Sequence, residues 1–181
     1  MKNVLILHGT RSSSQDNWFP WLKNQLENRG LKVWVPDLPL PERPNLERYK
    51  QYIFEHWQFN KESIVIGHSS GAVAALGVLQ YLPVELQIEK AILVAAFKDN
   101  LGRDDLSQLF VRPLNFAKIK SHVKKIILIH SENDPYVPFE HGQFLAEQLD
   151  GELVVMDGQK HFNTRTMGEV YLKFPQILEY I

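Results

Sequence analysis

Six short apolar runs rich in β-branched residues recur along the chain, at residues 4–7, 32–35, 63–66, 88–95, 125–130 and 152–156, separated by longer amphipathic stretches. A strand wetted on one side alternates apolar and polar residues. These runs are nearly continuous, as in strands covered on both faces. Helical patterns fill the gaps between them. Residues 21–29 lie between Pro20, suited to a first turn, and Gly30, suited to a helix end. Leu46, Tyr49, Ile53 and Trp57 repeat at helical spacing behind Asn45, an N-cap residue type. Residues 72–81 and 139–149 follow later strands, and 175–181 reads as a terminal helix opened by Pro175. This alternation implies an α/β fold in three layers, a parallel sheet with helices on both faces.

In such sheets ligands bind beyond the carboxyl ends of the strands, so functional residues are expected just after strands. The rhythm breaks at residues 98–119, where a short helix is expected over 104–110. A connection of that length is either a lid or binding loop, or an excursion packed down through Leu109, Phe110 and Phe116.

Composition excludes several classes. A chain of 181 residues fits one domain, 1–181. Twenty basic against twenty-one acidic residues, a net charge of −1, leave no basic excess for nucleic acid. The longest apolar run, residues 91–97, is too short to span a bilayer, so no membrane partner is expected. The absence of cysteine removes disulfides, thiolate metal sites and cysteine nucleophiles, and makes the cytoplasm the default compartment. The acidic and histidine residues are too scattered to suggest a metal site.

The most specific pattern is Gly67-His68-Ser69-Ser70-Gly71, between the run Ile64-Val65-Ile66 and the small-residue start Ala72-Val73-Ala74-Ala75. A strand-to-helix turn this sharp strains its central residue, and flanking glycines let the neighbouring backbone approach. The turn lifts the Ser69 hydroxyl above the sheet. A serine hydroxyl is a poor nucleophile until a base takes its proton. Of the seven histidines, His56 lies in a helical pattern and His122 and His141 read as surface. His130 reads as structural, His68 points elsewhere in such a turn, and His8 belongs to the first strand–loop junction. His161, in the loop after the sixth run, is the expected base.

The base needs an acid to fix its tautomer and stabilise the imidazolium. Asp134, in the turn after the fifth run, is the expected acid, with Asp99 as the fallback. Negative charge developing on a carbonyl oxygen calls for two backbone N–H groups. Ser70 supplies one by the geometry of the turn, and the loop His8-Gly9-Thr10 supplies the other, from Thr10 or else Gly9. His8, Gly9 and Trp18 are candidate substrate contacts. Trp18, Phe19 and Trp21 either line an acyl pocket or pack the first helix. Arg11 is either a solvated loop residue or a contact for an anionic substrate.

The order His8-Gly9, Gly67-x-Ser69-x-Gly71, Asp134-x-x-Val137-Pro138, His161-Phe162 resembles the α/β-hydrolase superfamily across nearly the whole chain. The small size and the string Trp18-Phe19-Pro20-Trp21 look like the compact serine hydrolases related to retinoblastoma-binding protein nine and the bacterial YdeN group. The resemblance implies six parallel strands ordered 2-1-3-4-5-6, no large cap domain, no cofactor, and Ser69, Asp134 and His161 as a triad. The expected activity is hydrolysis of a small ester, thioester or amide through an acyl-serine. The alternative is a protein-interaction module on a hydrolase scaffold with little turnover.

Overall fold

The computed structural model describes residues 2–181. Six strands, β1 (Asn3–Leu7), β2 (Lys32–Trp34), β3 (Ile64–His68), β4 (Ile88–Val94), β5 (Val123–His130) and β6 (Glu152–Val155), form one sheet in the order β2-β1-β3-β4-β5-β6. Every neighbouring pair is parallel. The two-sided burial inferred from continuous apolar runs holds in the central strands β1, β3, β4 and β5, whereas the edge strands β2 and β6 are partly exposed. Leu5, Leu7, Val65, Ala91, Leu93 and Leu128 enter the core on one face, while Val4, Ile6, Ile64, Ile66, Ile92 and Ile129 enter the core on the other.

The first face is covered by α2 (Leu46–His56), α3 (Ser70–Leu79), α4 (Phe116–Ser121) and α5 (Phe139–Leu149), through side chains such as Ile53, Leu76, Ile119 and Leu145. The second is covered by α1 (Phe19–Glu27) and the C-terminal segment, through Phe19, Leu22, Leu26, Phe174 and Ile177. Asn45 caps α2 as its residue type suggests, its side chain accepting from the Arg48 amide at 2.9 Å. Gly30, at φ 80°, turns the chain from the end of α1 into β2. All ten residues of α3 are buried, which explains its run of alanine, valine and glycine. Among the described residues, no helix is long and apolar enough to cross a membrane.

The structure departs from expectation in three places. Residues Pro175–Tyr180 form a 3₁₀ turn rather than an α-helix, too short to carry its own amphipathic stripe. The connection after β4 holds a 3₁₀ helix at Asp104–Leu109 and also α4, which the sequence reading missed. His122 and His141 are buried, not surface. The His122 Nδ1 lies 2.8 Å from the Leu86 carbonyl, and the His141 Nδ1 lies 3.2 Å from the Lys98 amide.

Candidate active site

The turn between β3 and α3 holds Ser69 at φ 55°, ψ −125°, a region that L-residues rarely occupy. Its neighbours explain why the strain persists. A Cβ on Gly67 would lie 2.4 Å from the Ala72 Cα, and one on Gly71 would lie 2.3 Å from the Leu7 carbonyl oxygen. Glycine is therefore required on both sides. The Ser69 amide donates to the Val94 carbonyl at 2.8 Å, which fixes the turn to β4.

His161 lies in the loop after β6, between Lys160 at φ 48° and Phe162 at φ 52°. Its Nδ1 is 2.7 Å from the Asp134 Oδ2, in the loop after β5. The other carboxylate oxygen accepts from the Tyr136 and Val137 amides at 2.8 and 3.1 Å. The carboxylate is fully shielded from solvent and the imidazole nearly so. Asn133 and Ser131 tie the two loops together: the Asn133 Oδ1 accepts from the Lys160 amide at 2.8 Å and the Ser131 Oγ from the Gln159 amide at 3.0 Å. Asp99, the fallback acid, bonds instead to the Leu101 amide and the Lys98 ammonium.

His68, beside the serine, is buried, and burial lowers its pKa to about 3, so its ring is neutral. Its Nε2 lies 2.8 Å from the His161 carbonyl oxygen, which can only accept, so Nε2 carries the proton. His68 thus holds the backbone of the His161 loop from below. Sequence reasoning turned His68 away from Ser69 and missed this bond, because nothing local marks a contact across 93 positions.

Ser69 and His161 line one cavity of about 610 Å³. Gly9 and Thr10 form part of its wall, and a Cβ on Gly9 would come within 3.2 Å of the Ser69 Cβ. The Thr10 hydroxyl donates to the Ser70 Oγ at 2.8 Å, fastening the loop after β1 to the start of α3. Phe97, Leu106 and Val137 give the cavity an apolar side, and Tyr136 stands edge-on to His161 with ring centroids 5.0 Å apart.

Two candidate contacts lie elsewhere. Trp18 is fully buried, donates its indole N–H to the Phe162 carbonyl at 3.0 Å and packs on Phe19 and Phe174. Of its two readings, core packing is the correct one. The His8 ring also faces away from the cavity lining. Its Nε2 accepts from the Leu38 amide and its Nδ1 donates to the Gly9 carbonyl, both at 2.9 Å, so it shapes the loop rather than meeting a ligand. Among the described residues no group of three or more histidine and acidic side chains converges as a metal site would.

The connection between β4 and β5 is packed down and also reaches the cavity wall. Leu109 packs into the core, while Leu101, Arg103, Asp105 and Leu106 face the cavity. A parallel sheet in this order, helices on both faces, no large cap, and a strained serine turn above the third strand together define the α/β-hydrolase fold.

The chain belongs to the serine hydrolase family, whose model matches residues 4–180. It is 32% identical over 164 residues to YdeN of Bacillus subtilis, covering 89% of this chain and 86% of that protein. The crystal structure of the YdeN gene product superposes with a TM-score of 0.91 at 29% identity, over 99% of this chain and 96% of that one. Similarity to the serine hydrolase RBBP9 of Rattus norvegicus is 30% over 156 residues, 84% of this chain and 82% of that protein. Est1E from Butyrivibrio proteoclasticus matches with a TM-score of 0.71 over 98% of this chain and 87% of its own; at 15% identity that likeness is one of fold.

Proposed function

We propose that this chain hydrolyses small carboxylic esters, or related thioester and amide bonds, through an acyl-serine intermediate. The observation that carries this reading is the strained Ser69 opening into the same cavity as His161, whose Nδ1 is bonded to the shielded Asp134. The His161 Nε2 takes the Ser69 proton as Oγ attacks the carbonyl carbon. Asp134 holds the imidazole in the tautomer that leaves Nε2 free to accept, and stabilises the cation that forms. The oxyanion is held by the Thr10 and Ser70 amides; Ser70 opens α3, where a helix offers its first N–H groups no carbonyl partner. Protonated His161 then gives its proton to the leaving group, and water attacks the acyl-serine with the same base.

On this reading the chain works as one domain, 1–181, on small-molecule substrates. With no cysteine to protect or oxidise, the cytoplasm is the proposed compartment. Labelling with a fluorophosphonate probe tests the assignment. Ser69 is expected to carry the adduct, and Ser69→Ala to lose both labelling and turnover of 4-nitrophenyl butyrate. An adduct on Ser70 in the wild-type chain would overturn it.

A further inference from the structure

Three arginines, Arg11, Arg103 and Arg165, line the cavity against two carboxylates, Asp16 and Asp105. Asp16 is occupied within its own loop, accepting from the Ser13 amide at 2.7 Å and from the Ser12 and Ser13 hydroxyls. Asp105 accepts a two-pronged bond from Arg103, Nε to Oδ1 at 3.1 Å and Nη2 to Oδ2 at 2.6 Å. The Arg11 Nη2 stands 4.0 Å from that same Oδ2. Two guanidinium groups thus converge on one carboxylate oxygen, and a single negative charge is shared between two positive ones.

The backbone of Arg11 is held in place. The residue directly follows Thr10, its backbone is at φ 56°, and its amide donates to the Pro41 carbonyl at 3.0 Å. Its side chain remains 59% exposed on the cavity wall. The nearby start of α3 adds the positive end of a ten-residue helix. The chain as a whole carries −1, so this local excess of positive charge is not inherited from composition.

Building on the esterase reading, we propose that the site takes esters bearing a second, anionic group, a carboxylate, which Arg11 and Arg103 bind beside Asp105 on the oxyanion-loop side. A guanidinium pairs with carboxylate through a planar fork, and Asp105 already shows how such a group sits between these two. The surplus charge also draws an anionic substrate into the cavity.

Two matched pairs test this and locate the anion. 4-Nitrophenyl hydrogen fumarate, whose trans carboxylate cannot attack its own ester, is set against the corresponding fumaramate. 4-Acetoxybenzoate is set against 4-acetoxybenzamide. The first pair carries the anion on the acyl side, the second on the alcohol side. The anionic member of at least one pair is expected to lead in kcat/KM by about twofold to fivefold, the scale of a partly exposed ion pair, and the lead is expected to shrink with added salt. Arg11→Gln should abolish it. Asp105→Asn should enlarge it, because both guanidiniums are then released; loss of a merely structural contact would not move the ratio in that direction.

Equal rates within both pairs, or an unchanged ratio in Arg11→Gln, overturn the inference while leaving Ser69-dependent hydrolysis intact. If wild type turns over none of the four faster than Ser69→Ala, the hydrolase reading falls instead. Calorimetry with fumarate dianion then decides the anion site alone: binding weakened by Arg11→Gln upholds it, and no binding to wild type overturns it.

Discussion

The Asp134 carboxylate is bound at both oxygens, Oδ2 by the His161 imidazole at 2.7 Å and Oδ1 by the backbone of its own turn at Tyr136 and Val137. An acid held on both sides cannot rotate away from its histidine. The tautomer of His161 is thereby set by the fold of the β5 loop. Asp134→Asn should keep the fold and lose about 10²- to 10⁴-fold in kcat, through a wrong tautomer and an unstabilised cation. Asp99→Asn should be mild, since Asp99 bonds only to its neighbours Leu101 and Lys98. Steady-state kinetics on both variants check this, and a crippled Asp99→Asn beside an active Asp134→Asn would refute the assignment.

The glycines around Ser69 make a stability prediction. A methyl group on Gly67 or Gly71 meets backbone atoms at 2.4 and 2.3 Å, and backbone cannot swing aside as a flexible side chain does. Gly67→Ala and Gly71→Ala should each cost about 3 kcal/mol or more, at the upper end of overpacking penalties. Gly9→Ala meets the Ser69 Cβ at 3.2 Å and should be milder in stability than in turnover. Urea titration of the three variants separates the cases; equal midpoints for Gly9→Ala and Gly71→Ala would contradict the geometry.

Acid stability should also be poor. Burial lowers the pKa of His8, His68 and His130, to about 3 for His68 and about 4 for His130, against an ordinary value of 6.5. As pH falls below 6.5, the unfolded chain takes up protons that the folded chain refuses. Stability is therefore full above that pH and declines through the window down to about 4 and 3. Each histidine kept neutral removes about 1.4 kcal/mol per pH unit in that window. Thermal unfolding at pH 7, 6, 5 and 4 should show Tm dropping with acid, and His130→Leu should make the drop shallower. A flat profile would mean these rings are not neutral in the folded chain.

Chain length is a further discriminator. The long segment between β4 and β5 lines the cavity, and its buried Leu106 and Leu109 anchor it to the core rather than raising a tunnel wall. Among 4-nitrophenyl esters, kcat/KM should be highest for acetate to butyrate and fall for decanoate. The opposite ranking would require a deeper acyl channel than the described cavity.

What the sequence made legible follows from how local each signal is. The central strands declared themselves because burial on two faces leaves an uninterrupted apolar run, and the Ser69 turn did so because two backbone approaches demand glycine at fixed offsets. Asp134 and His161 were readable as residues after strands, and the structure brings them together. The His68 bond to the His161 carbonyl was not readable, nor were the burial of His122 and His141. Each depends on a carbonyl or amide supplied by a distant segment, and a polar ring in sequence looks solvated until that partner is known. The convergence of Arg11 and Arg103 on Asp105 was hidden for the same reason. It joins the first loop to an insertion whose path no periodicity specifies.

The fastening of the Ser69 amide to the Val94 carbonyl carries a consequence for biosynthesis. Everything needed to close the strained turn has been synthesised once β4 has emerged, whereas His161 follows β6, the last strand added at the sheet's edge. From Val94 to His161 the chain runs a further 67 positions. During translation the serine would exist for a time as an ordinary alcohol, without its histidine. On the proposed reading the site is completed last, and a polypeptide released before β6 would carry the serine turn without the proposed base.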